Sequence, residues 1–156
     1  MSIFKNKGEF KLKKLVAISL MMVLLITTLT GCSGGNKTSS EGHEIALITD
    51  KGNIDDKSFN QGAWEGVVAF AEKEGISHHY IKPEEASDAG YLAAIDLAVQ
   101  GGAKVVVTPG YLFEVPIYEA QTKYPDVKFI LLDGAPHDPD YNDTTIKDNV
   151  ASIMYS

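Results

Sequence analysis

Two apolar runs in the second half of the chain are Lys104-Val105-Val106-Val107-Thr108 and Val127-Lys128-Phe129-Ile130-Leu131-Leu132. Continuous apolar strands of this kind are buried on both faces, which is typical of a parallel sheet covered by helices. Shorter strands are predicted on either side of these runs, at 45–48, 79–81 and 145–147. The strands are separated by longer segments in which apolar residues recur at helical spacing.

Three helices fit between the predicted strands. The first is expected to begin at Ser58, whose hydroxyl caps the helix while Gln61 reaches back, and to end near Gly75. Its predicted apolar face consists of Ala63, Val67, Phe70 and Ala71. The third helix lies between Pro116 and Pro125. The second is predicted over 88–100, with Gly101-Gly102 as its stop and these core residues at helical spacing: Tyr91, Ile95, Ala98 and Val99.

The order of strands and helices predicts an α/β fold with a doubly wound parallel sheet. After the fifth strand, the chain is expected to enter a further helix near Ser156. In such sheets, ligands bind at the carboxyl ends of the strands. The loops of interest are therefore 50–60, 82–88, 108–113 and 133–137.

The N-terminus has the pattern of an export signal. Five lysines within residues 5–14 precede an apolar stretch over 15–29, which is short for a membrane span of about 20 residues. The following Leu29-Thr30-Gly31-Cys32 resembles a bacterial lipobox, in which the cysteine is acylated. The alternative is a signal-anchor helix with an incidental cysteine. We predict a signal peptide over 1–31, a flexible tether over 32–43 and a globular part over 44–156, held by Cys32 on the extracytoplasmic face of the cell membrane.

The charge of the chain argues against nucleic acid as a partner. The first 31 residues contain five of the 14 basic residues and one of the 21 acidic ones, so the remainder has a net charge of −11. The chain contains no arginine. A surface this acidic repels phosphate backbones.

The loop at 50–60 contains three aspartates and lacks the glycine spacing of phosphate-binding loops. The aspartate spacing fits neither a calcium loop nor a catalytic carboxylate pair, so no metal or cofactor is predicted. Asp55 and Asp56 are expected to favour the positive end of the first helix. A hydrolase triad is unsupported, because Ser58 has no evident histidine partner and only His137 lies in a suitable loop.

Three side chains in these loops suit a planar ligand. Phe59, in the first turn of a helix, can present its ring to a planar group, or it can pack into the core. Asn60 offers both a donor and an acceptor to the edge of a base. Asp133 follows the most apolar strand, and we expect its carboxylate to be partly desolvated and to need donors; alternatively, it caps a neighbouring loop.

Four segments carry a family resemblance: 45–66, 106–111, 129–134 and 147–152. The most specific part is the run Asp55-Asp56-Lys57-Ser58-Phe59-Asn60-Gln61 within the first segment. They resemble the basic membrane protein family of ABC-transporter substrate-binding lipoproteins. The resemblance implies the N-terminal lobe of a type I periplasmic-binding-protein-like fold, with no enzymatic activity. It also implies a purine nucleoside ligand (guanosine, inosine or adenosine) and a transporter permease as partner.

The resemblance assigns roles to four residues. Phe59 stacks on the base, Asn60 and Asp133 form hydrogen bonds with it, and Asp50 lies close to the site. Family members are longer and have two lobes that close on the ligand around a hinge, so the second lobe is expected to be missing from this chain. The alternative function is that of a surface lipoprotein acting as a sensor or regulator through protein contacts.

Overall fold

The computed structural model describes residues 43–155, and this part of the chain alternates strands with helices. The predicted signal peptide, Cys32 and all but the last residue of the predicted tether lie outside the described residues. The elements are β1 (Ile45–Ile48), α1 (Phe59–Glu74), β2 (His78–Ile81), α2 (Asp88–Gln100), β3 (Val105–Pro109), a 3-10 turn (Tyr111–Phe113), α3 (Glu114–Lys123), β4 (Lys128–Leu132) and β5 (Val150–Ile153).

The five strands form one sheet in the order β2-β1-β3-β4-β5, and every pair is parallel. The predicted α/β class and parallel sheet are thereby confirmed. All four residues of β1 are buried, as expected for a central strand covered on both faces. Because the strands are parallel, their carboxyl ends lie along the same edge of the sheet.

Each face of the sheet is covered by a separate apolar cluster. On one face, strand residues such as Ile48 and Phe129 pack against Tyr91 and Ile95 of α2 and Ile117 of α3. On the other face, strand residues pack against α1 through Ala63, Val67 and Ala71. Each large apolar side chain buried in this way stabilises the fold by about 1.5–3 kcal/mol.

The boundaries of α1 are as predicted, but its cap and apolar face differ from the prediction. The Ser58 side chain makes no capping hydrogen bond; instead, the Asp56 carboxylate accepts hydrogen bonds from the backbone N–H groups of Ser58, Asn60 and Gln61. Phe70 was predicted to face the core and is 53% exposed. Gly75 ends the helix in a left-handed conformation, as expected for a C-terminal glycine.

The last strand lies later in the chain than predicted. The segment at 145–147 is not a strand, and the segment expected to begin a helix contains β5, over 150–153. The connection from β4 to β5 therefore contains no helix. Its 17 residues, 133–149, form an irregular connection between two parallel strands.

Side chains attach this irregular connection to α3. The side chain of buried Gln121 donates to the carbonyl of Thr145 at 2.9 Å and accepts from the Lys147 N–H at 2.9 Å. The Asn149 amide donates to the carbonyls of Gln121, Tyr124 and Val127. The two bonds of Gln121 occupy the Thr145 carbonyl and the Lys147 N–H, so these groups are not available for pairing with a strand of the sheet.

Two histidine rings contact each other at the beginning of the described chain. The centroids of His43 and His79 are 4.3 Å apart, and the Nδ1 atoms of both are buried without a hydrogen-bond partner among the described residues. Burial lowers the pKa of His79 below its usual value of 6.5, and positive charge on His43 lowers it further. The folded chain therefore favours the neutral form of His79 more than the unfolded chain does.

We predict that the free energy of unfolding decreases as the pH is lowered from 6.5 towards the lower folded-state pKa of His79. In this window the unfolded chain binds the proton more readily than the folded chain, so acid favours unfolding. Urea unfolding at several pH values measures the slope. His79→Gln should reduce the slope, whereas His78→Gln, at the neighbouring position, serves as the control. Equal slopes in wild type and His79→Gln would contradict the prediction.

Candidate functional site

The candidate site lies at the carboxyl edge of the sheet, where the loop before α1 meets the ends of β4 and β5. Phe59 is the first residue of α1 and is half-buried. Its ring contacts that of Tyr155 edge to face, with the centroids 5.8 Å apart and the planes at 77°. Phe59 is thus at the surface of the site and is not enclosed in the core, which was the alternative raised by the sequence.

A shallow cavity of about 480 Å³ opens beside Phe59. Its lining residues are Ser58, Phe59, Gly62, Ala63, Leu132 and Tyr155. Leu132 is the last residue of β4, so the cavity extends from the first turn of α1 to the residue that precedes Asp133. Its walls are aromatic and aliphatic, which suits a flat, uncharged group.

Asn60 is buried and holds the loop that positions Phe59. Its amide nitrogen donates to Asp50 Oδ1 at 2.7 Å and to Asp56 Oδ2 at 2.9 Å, and its carbonyl oxygen accepts from the Asp50 N–H at 3.2 Å. Both amide hydrogens are therefore used within the protein. The predicted hydrogen bond from Asn60 to a ligand stays a prediction. Such a bond requires either the second lone pair of the amide oxygen or the loss of one of these bonds.

Asp50 and Asp56 complete this arrangement, which we call the Asn60 lock. Asp50 Oδ1 also accepts from the Gly52 N–H at 2.7 Å. A Cβ atom at Gly52 would lie 2.5 Å from the Asn60 amide nitrogen, so only glycine fits there. Desolvation raises the pKa of Asp56, but its hydrogen bonds to Ser58, Asn60 and Gln61 together outweigh that effect and lower the pKa below the usual value.

Asp133 follows β4 and is exposed, so the expected partial desolvation of its carboxylate is wrong. Its backbone has φ of 56°, in the left-handed region. Its N–H donates to the carbonyl of Ile153 at 2.7 Å, so pairing with β5 continues one residue past the end of β4. A non-glycine residue in this conformation is uncommon, and such strain tends to occur where a side chain must be aimed in one direction.

Two residues of this region were not found from the sequence. Tyr155 forms a wall of the cavity, and it was missed because β5 was assigned to the wrong segment. Tyr91 lies in the first turn of α2, and its hydroxyl is buried without a hydrogen-bond partner among the described residues. Burial raises the pKa of Tyr91, and the negative charges of Asp50 and Asp88 raise it further, so the phenol is neutral. Tyr91 was recognised from its spacing only as a core residue.

A family model described as "ABC transporter substrate-binding protein PnrA-like" matches residues 43–156. The CD4+ T-cell-stimulating antigen of Listeria innocua is 30% identical, with 92% of this chain and 41% of that protein covered. The ABC transporter nucleoside-binding protein BmpA of Lactococcus lactis is 26% identical, with 91% and 43% covered.

Solved structures show the same fold. A solute-binding protein of an ABC transporter system from Aeropyrum pernix matches with a TM-score of 0.59 and 29% identity, over 69% of this chain and 27% of that one. A solute-binding protein from Conexibacter woesei matches with a TM-score of 0.54, and at 23% identity it supports the fold alone.

Basic membrane protein A of Borreliella burgdorferi is 29% identical, with 88% of this chain and 38% of that protein covered. The chain spans about two fifths of the length of these curated relatives, as their covered shares of 41%, 43% and 38% show. Within residues 43–155, no helix is long and apolar enough to cross a membrane. With a family match that extends over 43–156, the chain belongs to the Bmp family of PnrA-like ABC-transporter substrate-binding proteins.

Proposed function

We propose that this chain provides the base-recognition surface of a lipoprotein that binds purine nucleosides for import by an ABC transporter. The observation that carries the proposal is the half-buried ring of Phe59 in the wall of a cavity whose lining includes Leu132, the residue before Asp133 in the chain. The Lactococcus lactis relative is named a nucleoside-binding protein, which favours the same class of ligand.

The chemistry of the two side chains is complementary to a purine. Stacking of a base on an aromatic ring contributes about 1–3 kcal/mol and requires only a flat π face. The Asp133 carboxylate accepts hydrogen bonds and therefore suits a ring N–H or an exocyclic amine at the edge of the base. In this proposal the ligand is bound and released unchanged, and the permease of the transporter is the protein partner.

A surface that contacts only one side of the ligand binds it weakly. A single stacking contact and one or two hydrogen bonds correspond to dissociation constants of about 1 mM. Relatives in the family are longer, and the proposed function of the whole protein includes closure of a second lobe over the nucleoside. Binding by this chain therefore has to be measured with a method suited to weak complexes.

We predict that Phe59→Ala in the 156-residue chain, purified in detergent, weakens inosine binding about 5- to 150-fold, because one stacking contact of about 1–3 kcal/mol is lost. Inosine titration followed by NMR measures the change. Phe70→Ala is the matched control: it removes an exposed phenylalanine from the same helix and should leave binding unchanged. Equal affinity of Phe59→Ala and wild type would refute the stacking role.

We further predict that Asp133→Asn weakens inosine binding about tenfold, because the hydrogen bond from the base then has a neutral amide oxygen as acceptor in place of a carboxylate. Asparagine tolerates the left-handed backbone, so this variant should retain the wild-type midpoint of urea unfolding. Asp133→Ala should weaken binding and also lower stability by about 1 kcal/mol through backbone strain. Asp140→Asn, an exposed change in the same connection, is the control. Unchanged binding in Asp133→Asn would contradict the assigned role.

The membrane anchor is part of the proposal, since relatives in Pyrococcus abyssi and Pyrococcus furiosus are named lipoproteins. We predict that the chain produced in bacteria incorporates an alkyne analogue of palmitate and that Cys32→Ser does not. Cys32 is the only cysteine, so no other thiol can carry the label. Ser33→Ala should still be labelled. Label that persists in Cys32→Ser would rule out lipidation at this position.

A further inference from the structure

A second set of contacts lies on the far side of Asp133 from the cavity. It consists of the Glu114 carboxylate, the His137 ring and the backbone of 133–135, and we call it the Glu114 clasp. Glu114 is the first residue of α3, and its side chain is 21% exposed. Neither Glu114 nor His137 has a role in the proposed function.

Three consecutive residues, 133–135, each form a backbone hydrogen bond to β5 or α3. The Asp133 N–H donates to the Ile153 carbonyl, the Ser152 hydroxyl donates to the Gly134 carbonyl, and the Ala135 N–H donates to Glu114 Oε1 at 3.0 Å. β5 thus holds the first two residues, and α3 holds the third. These attachments hold Asp133, whose φ is left-handed, and the two residues that follow it.

Close packing keeps the Glu114 carboxylate in place. A Cβ atom at Gly134 would lie 3.1 Å from Glu114 Cγ, so the backbone of 134 approaches the side chain as closely as a glycine permits. The second carboxylate oxygen lies 3.3 Å from His137 Nε2, and the His137 side chain is only 8% exposed. One carboxylate therefore contacts both the backbone and a buried ring.

The His137 ring makes contacts through both of its nitrogens and through stacking with Tyr141. Nδ1 lies 2.7 Å from the carbonyl of Asp138 and therefore carries a hydrogen, and Tyr141 stacks on the ring at 3.6 Å between centroids. Nε2 faces Glu114 and donates to its carboxylate when the ring is protonated. A glutamine at 114 would accept from Ala135 in the same way and donate its own N–H to a neutral Nε2.

We infer that Glu114 is a positioning residue that fixes the backbone of Asp133 and so aims its carboxylate at the edge of the ligand. The part of this inference that concerns the ligand rests on the function proposed above. The part that concerns the backbone does not. Glu114 acts only through Asp133 and is not placed in contact with the ligand.

The test combines two measurements on the 156-residue chain. Amide hydrogen exchange of Asp133 reports on its backbone, and inosine titration reports on the site. In Glu114→Ala, the Asp133 amide should exchange at least about fivefold faster although its own partner, Ile153, is unchanged, and inosine binding should weaken about tenfold. Glu114→Gln should restore both values to near wild type.

Tyr118→Phe is the matched control. It removes the 2.7 Å hydrogen bond from Tyr118 to Asp143, which also attaches the 133–149 connection to α3 but away from Asp133. Both measurements should match wild type in this variant. Wild-type exchange of Asp133 in Glu114→Ala, or equal acceleration in Tyr118→Phe, would overturn the inference.

The two levels of the proposal fail in different ways. If Asp133→Asn and Phe59→Ala bind inosine like wild type, the nucleoside function is wrong. The exchange rate of the Asp133 amide in Glu114→Ala still tests whether Glu114 fixes that backbone. Should those variants lose binding while Glu114→Ala keeps both wild-type exchange and wild-type affinity, the site is right and Glu114 does not position it.

Discussion

The hydrogen bonds of Asn60 are the constraint on which the candidate site depends. A buried amide without partners costs about 1–3 kcal/mol, and here Asp50 and Asp56 satisfy both of its hydrogens. The same bonds join the end of β1 to the first turn of α1, so the helix can begin only at Phe59 and with its ring at the sheet edge. The Asp-Asp-Lys-Ser-Phe-Asn run therefore has a structural role: it positions the ring of Phe59.

The two halves of the site are held by different physical means. On the α1 side, side chains close a loop around one buried amide, and Gly52 leaves room for it. On the β4 side, a strained backbone residue is held between β5 and α3, with Glu114 and Ser152 as the attachments. Each half contains a non-glycine residue in the left-handed conformation, Lys57 in the first and Asp133 in the second. The first half is held by contacts within its own loop and helix, whereas the second depends on contacts with β5 and α3.

The parts of the fold that depend on burial were predictable from the sequence. β3 and β4 are mostly apolar, and α2 was predicted over its observed range because its apolar residues recur at helical spacing and Gly101-Gly102 marks its end. β5 was not predictable in this way, since alternate residues of this edge strand are exposed and its pattern is weak. The replacement of the Ser58 cap by Asp56 and the role of Tyr155 depend on tertiary contacts that no local pattern encodes.

The geometry also separates recognition from affinity. In the proposed complex, Phe59 contacts one face of the planar ligand and Asp133 contacts one edge. Under that proposal, discrimination between ligands comes mainly from the Asp133 carboxylate, which favours donors at that edge and disfavours anions such as nucleotides. Enclosing the opposite face would add stacking and exclude water, which strengthens the same hydrogen bond by lowering the local dielectric. A lobe that carries the selective groups but little of the binding energy can release its ligand readily once the enclosure opens, and release is what delivery to a permease requires.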